Sequence, residues 1–322
     1  TLLMRFTDAG SETTTFNSRV QLSFNGGNSW FYDTDTDSDL PNGFRFNGPE
    51  RHIMWDIAPD TGPVSYDAFS LKLDPPASNA NTSSTFRVIQ YNIHYATQNG
   101  KVNTQRIANF ILDQNADLVS LNEVDSNKSR SDNRYLIKEL AQQTGMAYVF
   151  SNNTPALLGN GILSKFPVVY RDHQLLPNVG SNEQRGLIKS TVDVNGKFIS
   201  FWSTHLDFKN SDTERLMCVT NFNSWVGEET LPVLLCGDFN DTPLGAAPSL
   251  MDQKWLDAWD LAGTGNGQTV PCPGTPAARI DYIWKAKTAG VTAQTTFVPL
   301  SMQASDHYPV ISDFTVDNFT NH

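Results

Sequence analysis

Carboxylate, amide and imidazole side chains recur in this 322-residue chain directly after short apolar runs. Such runs are typical of buried strands, and strand ends on a rigid sheet can hold polar groups close together. We therefore expect these side chains to meet in one site. The motifs are YNIH (91–94), LNEV (121–124), THLD (204–207), GDFN (237–240), RIDY (279–282) and SDHY (305–308).

Oxygen ligands suited to a hard divalent cation are provided by Asn92, Glu123 and Asp306. Mg²⁺ takes carboxylate and carbonyl oxygens and keeps several waters. Such an ion polarises a phosphoryl oxygen and neutralises the charge that develops when a phosphoester is cleaved. The sequence therefore predicts a Mg²⁺ site at these residues, which Mn²⁺ or Ca²⁺ would also fit.

Proton transfer and stabilisation of the transition state are assigned to the other residues of the motifs. Asp238, with Asn240 beside it, suits the role of accepting a proton from the attacking water. His307 can stabilise the transition state when a carboxylate fixes its tautomer, and Asp281 is the expected partner. His205 can contact another phosphate oxygen. These residue types predict hydrolysis of a phosphoester bond.

The order of the motifs strengthens this prediction. Over residues 86–316 the chain resembles the endonuclease/exonuclease/phosphatase superfamily, because these motifs occur in that family's order: YNIH, LNEV, GNGILS, STHLD, GDFN, RIDYIW and SDHYPV. Members include deoxyribonuclease I, exonuclease III, neutral sphingomyelinases and inositol polyphosphate 5-phosphatases. The resemblance implies a metal-dependent phosphoesterase with Asn92, Glu123 and Asp306 on the metal side, His205 on phosphate, Asp238 and Asn240 at the nucleophile, and Asp281 supporting a catalytic His307.

Two further residues and one departure refine the resemblance. Asn160, in GNG, and Arg185, before Gly186, match positions where the family places substrate-binding groups. GDFN is followed here by Asp241-Thr242-Pro243, whereas the inositol 5-phosphatases continue with Tyr and Arg. The chain therefore looks more like exported bacterial members, some of which act on lipid or small-molecule phosphodiesters.

Alternating strand and helix patterns predict the architecture of residues 86–316. Helical spacing is found at 104–112, 132–143 and 212–226, and a hairpin over 187–204 turns at Asn195-Gly196. Hairpins mixed with helices predict an α/β fold, a four-layer α/β sandwich of the deoxyribonuclease I type. Further strands are expected at 86–91, 117–124, 233–236, 279–284, 295–298 and 308–314.

Composition changes near residue 74. Residues 1–74 alternate in short strand-like pieces, including 53–57, without an amphipathic stretch of helix length, which predicts a small all-β accessory domain. Residues 75–85 are rich in Pro, Ser, Asn and Thr and are predicted to be a linker. The catalytic domain then covers 86–316, and 317–322 are a tail.

An acidic run in the accessory domain leaves two interpretations open. Asp33, Asp35, Asp37 and Asp39 alternate with Thr and Ser, so their oxygens could converge on one Ca²⁺ ion. The run lacks the central Gly and the later bidentate Glu of an EF-hand loop. A solvated acidic loop is therefore the alternative to a Ca²⁺ site.

The charge balance favours a small substrate over nucleic acid. The formal net charge is -11 and the sequence pI is about 4.9, whereas proteins that follow polyanions carry a basic face. A bound divalent cation reverses the field locally, so a nuclease remains the alternative. We expect a phosphodiesterase or phosphatase acting on a small-molecule or lipid-derived substrate. A binding protein with a decayed site is the third hypothesis, and the complete motif set argues against it.

Cysteine usage and hydropathy say little about the compartment. The chain has 3 cysteines, Cys218, Cys236 and Cys272, which form no disulfide framework, although one bridge among them is conceivable. No apolar run approaches the ~20 residues that span a bilayer. The low Lys content and the many Asn, Thr and Ser residues favour a secreted or periplasmic protein. The sequence leaves the oligomeric state open.

Overall fold

A computed structural model describes residues 44–47, 52–55, 84–98, 100–153, 158–180, 183–209, 211–288 and 290–316. The chain divides into two compact units, residues 1–79 with 167–170, and residues 80–166 with 171–322. In the first unit β1 (Phe44–Asn47) pairs antiparallel with β2 (His52–Trp55), and β2 overlaps the strand predicted at 53–57. The accessory domain as a whole, most of the linker, the Ca²⁺ loop and the tail lie outside the described residues.

The remaining described residues form strands joined by short helices. In chain order these are β3 (Ser84–Asn92), β4 (Thr97–Gln98), β5 (Lys101–Val102), α1 (Thr104–Asp113), β6 (Leu118–Asp125), α2 (Leu136–Thr144), β7 (Ala147–Asn152), β8 (Leu158–Ser164), β9 (Val168–Leu175), β10 (Gly186–Val194), β11 (Lys197–His205), α3 (Thr213–Glu228), β12 (Val233–Asp238), α4 (Ala246–Met251), β13 (Trp255–Asp257), α5 (Ala258–Ala262), β14 (Asp281–Ala286), β15 (Val291–Phe297) and β16 (Val310–Val316).

Two 6-stranded sheets carry the fold. The first has the strand order β15-β16-β3-β6-β8-β7 and the second β13-β14-β12-β11-β10-β9. Both are mixed, because β3 runs parallel to β6 and antiparallel to β16, and β11 runs parallel to β12 and antiparallel to β10. The sheets face each other, with Ser120 Oγ of β6 lying 2.8 Å from Ser203 Oγ of β11.

Helices cover the outer faces of the two sheets. Ile107 of α1 and Leu140 of α2 pack in one apolar cluster with Ile89 of the first sheet. Phe222 of α3 packs with Trp202 of the second sheet in another cluster. Two inner sheets with outer helices confirm the predicted α/β sandwich. None of the helices in the described part of the chain is long and apolar enough to cross a membrane.

Strand β3 explains how one element serves both the core and the site. Successive side chains of a strand point to opposite faces of its sheet. Ile89 and Tyr91 belong to the apolar cluster under the helices. Gln90 and Asn92 point the other way, toward the second sheet, where Gln90 Nε2 lies 3.4 Å from Asp281 Oδ1. The polar residues of the strand are thus delivered to the space between the sheets.

Helix α1 agrees with its prediction and helix α2 does not. Asn103 caps α1, its side chain accepting a hydrogen bond from the backbone N–H of Arg106 at 3.2 Å. Helix α2 was expected from residue 132 but begins at Leu136. Asp132 and Asn133 both have φ of 56°, a left-handed conformation that cannot continue into a right-handed helix. Acidic and amide side chains tolerate that conformation, so the predicted helix start was wrong.

The hairpin predicted at Asn195-Gly196 is confirmed. These two residues have φ of 54° and 88° and connect Val194 of β10 to Lys197 of β11, which are paired. A type I′ turn needs positive φ at both central residues, which Asn and Gly adopt most readily. The turn fixes the register of β10 and β11 and therefore the position of His205 at the end of β11.

The three cysteines are free and buried. Cys218 lies in α3, Cys236 in β12 and Cys272 in the irregular segment before β14. Cys236 is fully enclosed, as expected for a small core residue in an apolar strand. The bridge that the sequence left conceivable is therefore not formed.

An ion pair between Arg87 and Asp313 joins β3 to β16. Nε and Nη2 of Arg87 donate to the two carboxylate oxygens of Asp313 at 2.7 and 2.9 Å. The hydrogen bond from Arg87 holds the pKa of Asp313 below its usual value. Because the pair is partly exposed, we expect Asp313→Asn to lower the free energy of unfolding at neutral pH by about 1 kcal/mol or less.

The pH dependence identifies this contribution. A carboxyl group with a depressed folded-state pKa stabilises fully above its unfolded-state pKa, and this is lost as the pH falls through the folded-state pKa. Denaturant unfolding of wild type and Asp313→Asn over a pH series should show the two curves converging in acid. A gap that stays constant throughout would contradict this assignment.

Candidate active site

The predicted site residues are placed by strand ends that meet at one edge of the two sheets. Asn92 ends β3, and His205 and Asp238 end β11 and β12. The parallel register pairs His205 with Asp238, and the antiparallel register pairs Asp238 with Asp281 at the start of β14. Three functional side chains are therefore neighbours across one sheet, as the motif positions predicted.

Close approach of the strands at this edge requires the glycine of GDFN. A Cβ atom on Gly237 would lie 2.4 Å from the backbone oxygen of Thr204 in the neighbouring strand. Any larger residue would push β12 away from β11 and separate Asp238 from His205. After Asp238 the chain turns sharply, since Asn240 has a φ of 49°.

Asn92 connects the two sheets within the site. Its Nδ2 donates to Glu123 Oε1 at 3.0 Å and to Asp238 Oδ2 at 3.0 Å. Glu123 lies at an irregularity of β6, where the register shifts between Leu121 and Val124 and its own φ is 54°. This bulge redirects the Glu123 side chain toward Asn92.

His307, Asp281 and Asp238 form a buried triad. His307 Nδ1 lies 2.8 Å from Asp281 Oδ2, and His307 Nε2 lies 3.7 Å from Asp238 Oδ2. Burial alone would lower the pKa of His307, but the charges of Asp281 and Asp238 outweigh it and raise that pKa. Burial, and then repulsion by Asp281, raise the pKa of Asp238 well above that of a solvated aspartate. The triad can therefore hold a proton on His307 and take another on Asp238 near neutral pH.

His205 lies on the other side of Asp238. Its Nε2 is 3.4 Å from Asp238 Oδ2 and 3.0 Å from Asn240 Nδ2, and its Nδ1 is 3.1 Å from Arg185 Nη1. Burial, followed by the positive charges of Arg185 and His307, holds the pKa of His205 well below its usual value. The two histidines of the site thus differ in charge at neutral pH.

The donor set around Glu123 suits a hard cation. Glu123 Oε2 is enclosed without a well-formed hydrogen bond, and the group nearest to supplying one is the Tyr95 hydroxyl, whose pKa is raised by burial and then by the Glu123 carboxylate. A buried carboxylate oxygen without such a bond is costly, and a cation would satisfy it. Asp306 follows Ser305, whose hydroxyl donates to the backbone oxygen of Asn92 at 2.7 Å, so its half-exposed carboxylate is tied to the end of β3.

A second arrangement of ligands also fits an ion. One oxygen or nitrogen atom from each of Asp238, Asp281 and His307 lies within 4.8 Å of the others, so this cluster could bind a metal. His307 Nδ1, however, already has a carboxylate partner in Asp281. Of the three predicted metal residues, Glu123 and Asp306 offer carboxylate oxygens, which hard divalent cations prefer. Asn92 turns its Nδ2 toward Glu123, and its Oδ1 accepts from the backbone N–H of His94 at 3.1 Å.

The two predicted substrate residues are both buried. The side chain of Asn160 in β8 accepts from Asn122 Nδ2 at 3.1 Å and donates to the backbone oxygen of Gly186 at 2.9 Å. Arg185 is 3% exposed and contacts His205 and Glu183. Both residues lie beside the site, but these bonds go to protein groups, and their contact with substrate stays a prediction.

Two buried amides, Asn122 and Gln90, were not assigned a role from the sequence. Asn122 Oδ1 accepts from Gln90 Nε2 at 2.6 Å and from the backbone N–H of Asp238 at 3.0 Å, 116 positions away. Asn122 Nδ2 donates to the backbone oxygen of Thr204 at 2.8 Å. The available signals were the position of Asn122 inside LNEV and the alternation that places Gln90 on the face of Asn92.

Comparisons with known proteins show the family of the chain. The model of the Endonuclease/Exonuclease/phosphatase family matches residues 89–307. An uncharacterized protein of Escherichia coli (strain K12), YbhP, is 29% identical over 162 residues, which are 48% of this chain and 62% of that protein. The matched region therefore spans less than two thirds of that relative.

Solved structures share the fold. An endonuclease/exonuclease/phosphatase from Beutenbergia cavernae superposes with a TM-score of 0.62 at 24% identity, covering 72% of each chain. A mannosyl-6-phosphatase of Bacteroides thetaiotaomicron superposes with a TM-score of 0.60 at 17% identity, covering 71% of this chain and 99% of its own. The predicted architecture of the second unit is thus that of known structures.

Proposed function

This chain belongs to the endonuclease/exonuclease/phosphatase family of phosphoester hydrolases, and from that premise we propose that it is a divalent-metal-dependent phosphoesterase for small-molecule or lipid-derived substrates. The observation that carries the proposal is the buried carboxylate of Asp238, held between Asn92 and His307. A carboxylate with a raised pKa beside a protonated imidazole is suited to acid–base chemistry at neutral pH.

The side chains divide the work of hydrolysis among them. Asp238 accepts a proton from the attacking water. His307, held by Asp281, carries a positive charge toward the charge that develops on the phosphoryl group. Asn240 and His205 present nitrogen atoms 3.0 Å apart on the opposite side of Asp238. The two aspartates and two histidines are buried and held by hydrogen bonds, so little reorganisation is needed during reaction.

Asn92, Glu123 and Asp306 would hold the metal. When bound there, the ion supplies Lewis-acid polarisation of the phosphoryl oxygen and compensates negative charge. The enclosed Glu123 Oε2 and the accessible Asp306 carboxylate are the oxygens that support this assignment.

The arginines beside the site favour a small substrate. Arg130 forms a two-pronged pair with the buried Asp125 at 2.7 and 2.8 Å, and Arg185 pairs with Glu183 at 3.3 Å. Nucleic-acid grooves need cations available for successive phosphates. The net charge of -11 would repel a polyanion, so it favours a small phosphoester as the substrate. The sugar phosphatase among the structural neighbours has the same architecture, which agrees with this substrate class.

A substrate screen tests the proposal. Purified protein would be assayed with Mg²⁺ and Mn²⁺ on sugar phosphates, glycerophosphodiesters, sphingomyelin, plasmid DNA and single-stranded RNA, with Asp238→Asn prepared in parallel to expose contaminating activity. We expect turnover of a small or lipid-derived phosphoester with weak salt dependence. Degradation of plasmid DNA or RNA in preference to every small ester, with affinity falling steeply with salt, would establish the nuclease instead.

Removal of the metal gives a separate prediction. EDTA should abolish turnover, and added Mg²⁺ or Mn²⁺ should restore it. Glu123→Gln should raise the metal concentration needed for half-maximal activity by roughly 10-fold or more, since even outer-sphere partners are worth about 10–100-fold in metal affinity. Glu139→Gln, which alters the ion pair between Glu139 of α2 and Arg134, is the matched control. Full activity in chelator would exclude the metal model.

A further inference from the structure

Both ring nitrogens of His205 are contacted by hydrogen-bond donors. Arg185 Nη1 lies 3.1 Å from Nδ1, and Asn240 Nδ2 lies 3.0 Å from Nε2. The carboxylate oxygen Oδ2 of Asp238 lies 3.4 Å from the same Nε2. A neutral imidazole has one N–H and one acceptor nitrogen, so only one of the two donors can be accepted.

The guanidinium decides which nitrogen accepts. Arg185 has donors only and does not lose its proton, so Nδ1 of His205 must present its lone pair. The ring proton is then on Nε2, where the Asp238 carboxylate favours it. Asn240 Nδ2 has another acceptor in the backbone oxygen of Leu206 at 3.1 Å, so it does not need His205. Charge on both sides of the ring therefore favours one tautomer.

Arg185 is held in place independently of any ligand. Its side chain is 3% exposed, and its Nη1 also contacts Glu183 Oε1 at 3.3 Å. Its backbone oxygen accepts from the backbone N–H of Leu176 at 3.0 Å and from Gln184 Nε2 at 2.8 Å. The arginine thus approaches His205 from the protein interior, along the ring edge remote from Asp238.

We propose that Arg185 is a positioning residue, which fixes the tautomer of His205 so that Nε2–H faces the reaction centre. This role differs from direct binding of a substrate phosphate. Only one part of this proposal rests on the proposed function, namely that Nε2–H contacts a phosphoryl oxygen during the reaction. His205 Nε2–H and Asn240 Nδ2 are then two donors 3.0 Å apart, an arrangement that a single phosphoryl oxygen would satisfy.

Nitrogen-15 NMR tests the tautomer without any substrate. Long-range proton–nitrogen correlation spectra distinguish the two neutral tautomers of each histidine, and signals missing from His205→Asn identify His205. We expect wild-type His205 to carry its proton on Nε2 at neutral pH. A proton on Nδ1 in the wild type would overturn the proposal. A protein without phosphoesterase activity would still give a readable spectrum, so this outcome is separable from failure of the proposed function.

Variants of Arg185 separate positioning from phosphate binding. Arg185→Met should populate the Nδ1–H tautomer and lower kcat by about 10–100-fold with KM changed only a few-fold, as for other orienting partners. Arg185→Lys keeps a cationic donor and should restore the wild-type tautomer. Arg134→Met, which removes an arginine paired with Glu139, is the matched control and should leave the His205 tautomer unchanged. An unaltered His205 spectrum in Arg185→Met, or a raised KM with normal kcat, would overturn the proposal.

Discussion

Replacing Asp238 by asparagine is expected to remove almost all turnover while leaving the protein folded. Asparagine has the same shape but cannot accept a proton from water, and loss of a general base costs about 10²–10⁴-fold in rate. The folded state should not suffer, because Asp238 is 1% exposed and its charge is costly to bury. The measurement is kcat on the substrate that the screen identifies, together with thermal unfolding.

This experiment has a matched control variant and one result that would contradict it. Asp313→Asn changes a carboxylate of β16 that pairs with Arg87 outside the site, and it should keep the wild-type kcat. If Asp238→Asn, folded and metal-binding, retained kcat within a few-fold of wild type, Asp238 would not be the base.

The second large effect is expected from Asp281→Asn. Asp281 Oδ2 bonds to His307 Nδ1, so asparagine leaves the imidazole without the carboxylate that orients and charges it. The same substitution in the Ser-His-Asp triad of serine proteases costs about 10⁴-fold, and a loss of about 10²–10⁴-fold is expected here. The cause is incorrect orientation and charge of His307 rather than loss of a reacting group.

The pH profile of the residual activity distinguishes this cause. The negative charge of Asp281 helps to raise the pKa of His307, and it also contributes, after burial, to the raised pKa of Asp238. Without that charge both values fall, so both limbs of a bell-shaped profile should move to lower pH. Asp260→Asn, at an exposed carboxylate beside Arg279, is the control and should keep the wild-type profile. Unmoved limbs in Asp281→Asn would show that Asp281 does not control these groups.

Local sequence patterns predicted the strand ends that carry the site. Asn92, His205 and Asp238 follow apolar runs, and the structure places each at the end of its strand. The same patterns failed where the backbone conformation is set by single residues. Asp132 and Asn133 continue a helix-like pattern but are left-handed, so α2 starts later than expected.

Contacts between the sheets could not be predicted from local pattern. Asn122 accepts a hydrogen bond from the backbone N–H of Asp238, 116 positions away, and no local sequence pattern indicates such a partner. Arg185 was assigned to substrate because Arg185-Gly186 resembles a pair in the family, but its bond to His205 depends on how β10 packs beside β11. Pairings of this kind follow from tertiary packing, which periodicity along one strand does not encode.

The hydrogen bonds of Asn122 determine how the protein should lose activity on heating. This one amide belongs to the first sheet yet fixes the backbone of Asp238 and Thr204 in the second. The catalytic groups of the second sheet therefore depend on the position of the first sheet. If heat let the layers slide apart by an ångström, every strand would survive while the chemistry stopped. Loss of activity on warming would then come before loss of secondary structure.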